Sequence, residues 1–179
     1  MYEKEVEQLQ NIIDDSKRIV FFGGAGVSTE SNIPDFRSAD GLYQQKYKYS
    51  PEQIVSHSFF VRNPEGFYEF YKEKMMFLDA KPNAAHLKLA ELEEAGKLTA
   101  VITQNIDDLH EKAGSEKIIH MHGRLKSILC EHCNKRYPFN EDSSIESECK
   151  FCHHKSLRPD IVWFGEMPYQ MDEIETLLS

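Results

Sequence analysis

Four cysteines, Cys130, Cys133, Cys149 and Cys152, stand as two C-x-x-C pairs with fifteen residues between them. Each pair can turn two thiolates toward one point, and two such turns complete a tetrahedron around Zn²⁺ with Zn–S contacts of about 2.3 Å. Four protein ligands leave no coordination position open, so the site expected here is structural and not catalytic. The alternative is a pair of disulfides or redox-active C-x-x-C motifs, which an oxidising compartment would favour. His132, His153 and His154 crowd the same turns, but four thiolates already close the shell.

Three further clusters carry chemistry. The apolar run Arg18–Phe22 leads into Gly23-Gly24-Ala25-Gly26-Val27-Ser28, the pattern of a buried parallel strand turning toward a helix N-terminus whose N–H groups can hold phosphate. The full dinucleotide fingerprint asks for Gly or Ala where Thr29 stands, so a plain tight turn is the alternative. Thr99–Thr103 reads as a second buried strand ending in Gln104-Asn105-Ile106-Asp107-Asp108. Ligands of open α/β sheets bind outside the carboxyl ends of the strands, which makes this cluster a candidate site. A solvated loop is the alternative for Gln104 and Asn105, and a helix cap for Asp107. Ile118–Gly123 reads as a third strand with His120 and His122 on one face. A histidine ending a strand beside a glycine is a candidate acid–base group, although most single histidines are structural.

Helices must position these clusters. Val6, Leu9 and Ile13 recur at helical spacing near the start, and Ile174, Leu177 and Leu178 do so near the end. Ser50-Pro51-Glu52 and Asn63-Pro64-Glu65 each place a capping residue, a proline at the first helical position and an acid in the first turn, predicting two helices. Phe67, Phe70, Tyr71 and Lys74 fall on one face of the second, where the aromatic stripe predicts core. Another helix is predicted from about Asn83 to Glu94, stopped by Gly96. Between Ser31 and Gly41 the sequence is rich in turn-formers and predicts a long loop. Arg158–Glu166 returns as an extended segment holding the single tryptophan, Trp163.

The chain has 179 residues, a charge of −9 and a 40% hydrophobic composition, as expected of a globular protein of one domain with a small appendage. The acidic balance argues against a nucleic-acid or anionic-membrane partner, both of which need basic surface. No apolar stretch approaches the roughly 20 residues of a membrane span, and the acidic start lacks the basic-then-apolar pattern of a secretory signal, so a cytoplasmic location is expected.

Taken together, the motifs resemble the sirtuin family of NAD-dependent protein lysine deacylases, in a bacterial-type form. The matching blocks are Gly24-Ala25-Gly26-Val27-Ser28, Ile33-Pro34-Asp35-Phe36-Arg37, Gln104-Asn105-Ile106-Asp107, His122-Gly123, the four cysteines, and Val162-Trp163-Phe164-Gly165-Glu166. They occur in family order over nearly the whole chain. Two departures are Gly23, where the family commonly has Thr, and Asn32, where it commonly has Gly; Asn tolerates left-handed backbone, so the second is mild.

The resemblance implies an α/β fold: a Rossmann-like parallel sheet with helices on both faces, formed by residues 1–123 and 158–179, with a helical insertion at about 40–80 and a small zinc-ribbon domain at 124–157. It implies NAD as co-substrate and one structural zinc on Cys130, Cys133, Cys149 and Cys152. Gly24, Ala25, Gly26 and Ser28 would hold the pyrophosphate, and Ile33 and Asp107 the nicotinamide amide. Gln104 and Asn105 would order the ribose hydroxyls and nearby water, while Asp35, Phe36 and Arg37 would complete the cofactor pocket. The acyl-lysine carbonyl oxygen would attack the ribose C1′ as nicotinamide departs. His122 would act as general base on the ribose hydroxyls, with Asn105 as its catalytic partner. Free lysine, nicotinamide and O-acyl-ADP-ribose would be the products of this transferase-class enzyme.

The substrates implied are acyl-lysine proteins or peptides, whose backbone would pair with Val162, Trp163, Phe164, Gly165 and Glu166 as an added strand. A subgroup that removes succinyl groups carries a Tyr followed three positions later by Arg, where this chain has Tyr71 and Lys74. Lysine keeps the charge without the bidentate fork, so deacetylation is expected to exceed desuccinylation. Two rival functions stay open: a protein ADP-ribosyltransferase using the same NAD pocket, and a non-catalytic zinc-ribbon binding module. Only three strands precede the last helix, and the family's later Gly-Thr-Ser-type loop and Ile-Asn-type segment have no counterpart. A shortened cofactor domain with weak NAD affinity is therefore expected. The sequence sets no oligomeric state.

Overall fold

The computed structural model describes residues 2–35, 49–77, 79–139 and 147–179. Phe36 and Arg37, expected at the cofactor pocket, lie outside the described residues. The elements begin with helix α1 (Glu3–Asp15), strand β1 (Ile19–Gly23) and a 3-10 segment (Ala25–Ser31). Helices α2 (Pro51–Ile54), α3 (His57–Arg62) and α4 (Pro64–Phe70) follow, the last running into a π-turn (Tyr71–Met75). Then come α5 (Ala84–Glu94), β2 (Leu98–Thr103), α6 (Leu109–Ala113) and β3 (Ile118–His120). The chain goes on through β4 (Gly123–Cys130), β5 (Arg136–Pro138), β6 (Leu157–Ile161) and α7 (Met171–Leu178).

β1, β2 and β3 form a parallel sheet in that order, with Phe21 beside Val101 and Val101 beside Ile118. Successive strand side chains point to opposite faces, and each face has a helix against it. Val20, Ile102 and Ile119 pack with Ile174 and Leu177 of α7. Ile19, Phe21, Val101 and Ile118 pack with Leu89 and Leu92 of α5. The fold is therefore a parallel α/β sheet covered on both sides. A second, antiparallel sheet in the order β5-β4-β6 carries the cysteines at its end. Residues 157–161 belong to this smaller sheet through the pairing of β6 with β4.

Three sequence expectations change in detail. The predicted helix at Ser50 is two helices: Ser50 closes a capping box with Gln53, but the chain turns at Val55 and Ser56 caps a new start by accepting from Phe59 N. The segment after Gly24 is a 3-10 turn and not a regular helix. The third strand ends at His120, so His120 and His122 do not share one working face: His120 is buried against Glu111, with Nε2 2.7 Å from the carboxylate.

The aromatic stripe of α4 is core, as its spacing predicts. Phe67, Phe70 and Tyr71 are buried with Phe59 and Trp163. The Trp163 ring lies 5.3 Å from Phe60 and 4.9 Å from Phe67, contacts worth about 0.5–1.5 kcal/mol each beyond their buried area. This cluster seats the Trp163 turn on the helical layer and so fixes one wall of the cleft.

Candidate active site

The carboxyl ends of β1, β2 and β3 open into one cleft of about 660 Å³. Its lining includes Ala25, Gly26, Ser28, Ile33, Asp35, Gln104, Asn105, Asp107 and His122, with Val162, Trp163, Phe164, Gly165, Glu166 and Lys74 on the opposite side. Residues from five separated stretches of sequence thus meet in one place. Gly24 lies at the edge, where a Cβ would stand 2.8 Å from Gln104 Oε1. Tyr71 does not line the cleft; it is buried behind, and its hydroxyl donates to Leu125 O at 2.6 Å.

Ser28 is the hub of a hydrogen-bonded cluster in the cleft. Its hydroxyl donates to Asp107 Oδ2 and accepts from Asn105 Nδ2, each at 3.0 Å. Asp107 Oδ1 meanwhile accepts from Leu109 N at 3.1 Å, just ahead of α6, whose N-cap is Asp108. The Ser28 turn is held from below by Asn83, whose Nδ2 donates to Val27 O at 2.8 Å and Ser31 Oγ at 3.0 Å. Sequence reasoning read Asn83 only as a helix start; nothing in its spacing discloses the second role. Asn32, which ends this turn, has φ 61°, the left-handed conformation that asparagine tolerates.

His122 sits just past β3, where the chain crosses to the second sheet. Its Nδ1 is 3.0 Å from Gln104 O, and because a carbonyl only accepts, Nδ1 carries the proton and Nε2 is the basic nitrogen. Burial lowers its pKa below the ordinary histidine value, with the Gln104 bond opposing part of the shift. Val162 N donates to His122 O at 2.9 Å, which binds the opposite wall to this residue. Gly123 has φ 83°, and a Cβ there would stand 1.9 Å from Asp160 O, so this position requires glycine.

The cysteines converge as their spacing predicts. All four are free thiols, and their sulfurs lie within 4.8 Å of one another. Cys130 to Cys152 and Cys133 to Cys149 are both 3.7 Å, close to the ~3.8 Å edge of a tetrahedron with Zn–S bonds of about 2.3 Å. Asn134 and His153 follow the two pairs with φ 54° and 60°, completing tight turns. The four donors fit one structural zinc.

Comparison with known proteins gives a consistent picture. The Sir2 family matches residues 24–179. A Clostridium tetani protein named NAD-dependent protein deacetylase is 50% identical over 173 residues, covering 94% of this chain and 69% of that protein. A Pyrococcus abyssi NAD-dependent protein deacylase is 41% identical, covering 95% of this chain and 69% of its own length. Among solved structures, an ADP-ribose complex of a Sir2 homologue superposes with a TM-score of 0.80 at 41% identity, covering 95% of this chain and 68% of that one. An NAD complex of a Sir2 homologue gives 0.78 at 42% identity, covering 95% and 66%.

Proposed function

The chain belongs to the Sir2 family, and on that footing we propose how its cleft removes acetyl groups from protein lysine side chains. The activity is NAD-dependent protein lysine deacylation, giving nicotinamide and O-acyl-ADP-ribose. The observation that carries the assignment of roles is the meeting of Ser28, Asn105, Asp107 and His122 with the Val162–Glu166 segment in one cleft.

NAD supplies the ADP-ribosyl group that accepts the acyl chain. The N–H groups of Ala25, Gly26 and Ser28 receive its pyrophosphate, with Gly24 allowing close approach. Ile33 and Asp107 hold the nicotinamide amide, with Asp35 beside them. Asn105, pinned by Ser28, and Gln104 orient the ribose hydroxyls. His122 takes a ribose hydroxyl proton on Nε2, with Nδ1–H held by Gln104 O. Phe36 and Arg37 are assigned to the same pocket on family resemblance. The Val162–Glu166 segment receives the substrate backbone as an added strand, within which Trp163 shapes the turn, its own N–H and C=O being bonded to Glu166. The zinc held by Cys130, Cys133, Cys149 and Cys152 stabilises the small sheet and stands outside the chemistry.

Acetyl is the preferred acyl group. The Tyr71 hydroxyl is engaged by Leu125 O, and Lys74 lies 2.9 Å from Glu73, so the pair offers no fork for an acidic tail. Turnover of succinyl peptide at or above that of acetyl peptide overturns this preference.

The proposal includes the division into a cofactor domain and a zinc domain at about 124–157, with the second sheet reaching past residue 158 because β6 (Leu157–Ile161) pairs with β4. It also includes a cytoplasmic setting, supported by thiols that metal binding requires to be reduced. No described helix is long and apolar enough to cross a membrane. The charge of −9 supports protein, and not nucleic acid or membrane, as partner. The deciding experiment is nicotinamide release from NAD with and without an acetyl-lysine peptide, followed by mass spectrometry. O-acetyl-ADP-ribose formed in step with nicotinamide supports deacetylation, and ADP-ribose left on protein refutes it.

A further inference from the structure

Arg158 is a buried cation whose partners lie in the Trp163–Tyr169 segment and, through Glu131, in the first cysteine turn. It lies in β6 with 5% of its surface exposed. Nη1 donates to Glu166 Oε1 at 2.9 Å and Nη2 to Glu166 Oε2 at 3.1 Å, a bidentate pair. Nη2 is also 3.4 Å from the Tyr169 hydroxyl, and the guanidinium stands 5.5 Å from the centre of the Trp163 ring. Nε lies 3.6 Å from Glu131 Oε1. Glu131 follows Cys130 directly in the first cysteine turn, and its N–H donates to Ser156 O at 2.9 Å.

Glu166 answers from the other side. Besides the guanidinium, its Oε2 accepts from Trp163 N at 3.0 Å, and its own N–H donates to Trp163 O at 3.0 Å. The turn Trp163–Glu166 is therefore closed by main chain and side chain together, and both carboxylate oxygens already accept hydrogen bonds. That geometry suits a carboxylate that shapes the turn presenting Val162, Trp163 and Phe164.

We propose that Arg158 and Glu166 are a positioning pair that holds the acyl-lysine-binding segment in its binding shape, with Glu131 anchoring the pair to the cysteine turn. The inference rests on the reading of Val162–Glu166 as the substrate segment. A segment already held in its bound shape spares the peptide the entropy of ordering it. Releasing the turn therefore weakens peptide binding and leaves NAD binding alone, since Ser28, Asn105 and Asp107 are bonded to one another and Asn83 holds the neighbouring Val27 O and Ser31 Oγ.

The test measures Kd for a fluorescein-labelled acetyl-lysine peptide by anisotropy and for NAD by calorimetry, with the emission of Trp163, the sole tryptophan, as a local reporter. Glu166→Gln keeps the size and loses the charge; Arg158→Lys keeps the charge and loses the fork. Each is expected to weaken peptide binding about tenfold, and the half-exposed Glu131→Gln about threefold, with NAD affinity within about twofold of the parent. The Trp163 emission should move to the red in Glu166→Gln as the turn opens. Unchanged peptide Kd in Glu166→Gln, or an equal loss of NAD affinity, overturns the proposal. Should Arg158→Lys fail to fold, Glu166→Gln and Glu131→Gln decide it. Phe164→Ala separates the two levels of inference. If it weakens peptide binding while Glu166→Gln does not, the positioning pair alone fails. If neither variant changes peptide binding, or the parent binds no peptide, the substrate-segment reading fails and the pair with it.

Discussion

The imidazole Nδ1 of His122 lies 3.0 Å from the main-chain oxygen of Gln104. A backbone acceptor cannot be lost by substitution, so the tautomer of His122 is fixed by the path of the chain after β2. The neutral ring then has Nε2 as its basic nitrogen.

His122→Ala should lower deacetylation by about 10²- to 10⁴-fold, the usual contribution of a positioned acid–base group, with zinc content unchanged. Because burial lowers the His122 pKa, the neutral base persists to lower pH than for a free imidazole. The acid limb of kcat/KM should therefore have its midpoint below about 6.5. A midpoint above that value contradicts the assignment.

Ser28→Ala removes the hydroxyl that joins Asn105 to Asp107. Losing a buried bridge of this kind costs about 1–3 kcal/mol, so NAD affinity measured by calorimetry should fall between about fivefold and 150-fold. Melting temperature should fall as well, by roughly 2–4 °C per kcal/mol lost.

Gly123→Ala puts a methyl group 1.9 Å from Asp160 O at a backbone φ of 83°. Main chain has to move on both sides, at the junction of the two sheets. The expected loss is more than about 4 kcal/mol in urea denaturation, among the largest effects of any single substitution.

Metal analysis should find one zinc per chain, and Cys149→Ser or a strong chelator should remove it. The small sheet, whose apolar cluster is built on Ile128, Leu157 and the cysteines themselves, should then unfold. Loss of near-ultraviolet ellipticity with retained helix signal is the expected result.

Stability should fall on acidification through the buried histidines behind the parallel sheet. His86 and His110 have ring centroids 4.7 Å apart; burial lowers both pKa values, that of His110 to about 4. A depressed folded-state value means that the unfolded chain binds the proton first. Stability is thus fully present above about 6.5 and declines as pH falls toward 4, by on the order of 3 kcal/mol for His110. His110→Gln should flatten the dependence of the unfolding midpoint between pH 7 and 5.

Much of the site was legible in residue types and spacing. The two C-x-x-C pairs define a metal site because each turn is local and needs only itself to aim two thiolates. The glycine turn after β1 and the polar ends of β2 and β3 could be grouped because a parallel sheet brings all its carboxyl ends to one edge. Local capping signals likewise placed α4 and α5, through Asn63 and Asn83. The break between α2 and α3 was missed because Ser56 acts as a cap only once Val55 has turned into the core. His120 and His122 looked equivalent by alternation, yet the strand ends between them and sends one to Glu111 and the other to the cleft.

By itself the sequence determined the chemistry available: four thiolates for a metal, a glycine turn after a buried strand, and a histidine ending a strand. Each feature is local, the cysteines as two C-x-x-C turns that the fold then brings together. Only the tertiary structure decided which groups are free to act. It engaged the Tyr71 hydroxyl with Leu125 O, paired Glu166 with the buried Arg158, and tied Ser28 to Asn105 and Asp107. The physical reason is that a buried polar group must find a partner, and those partners lie 54, 8, 77 and 79 positions away along the chain.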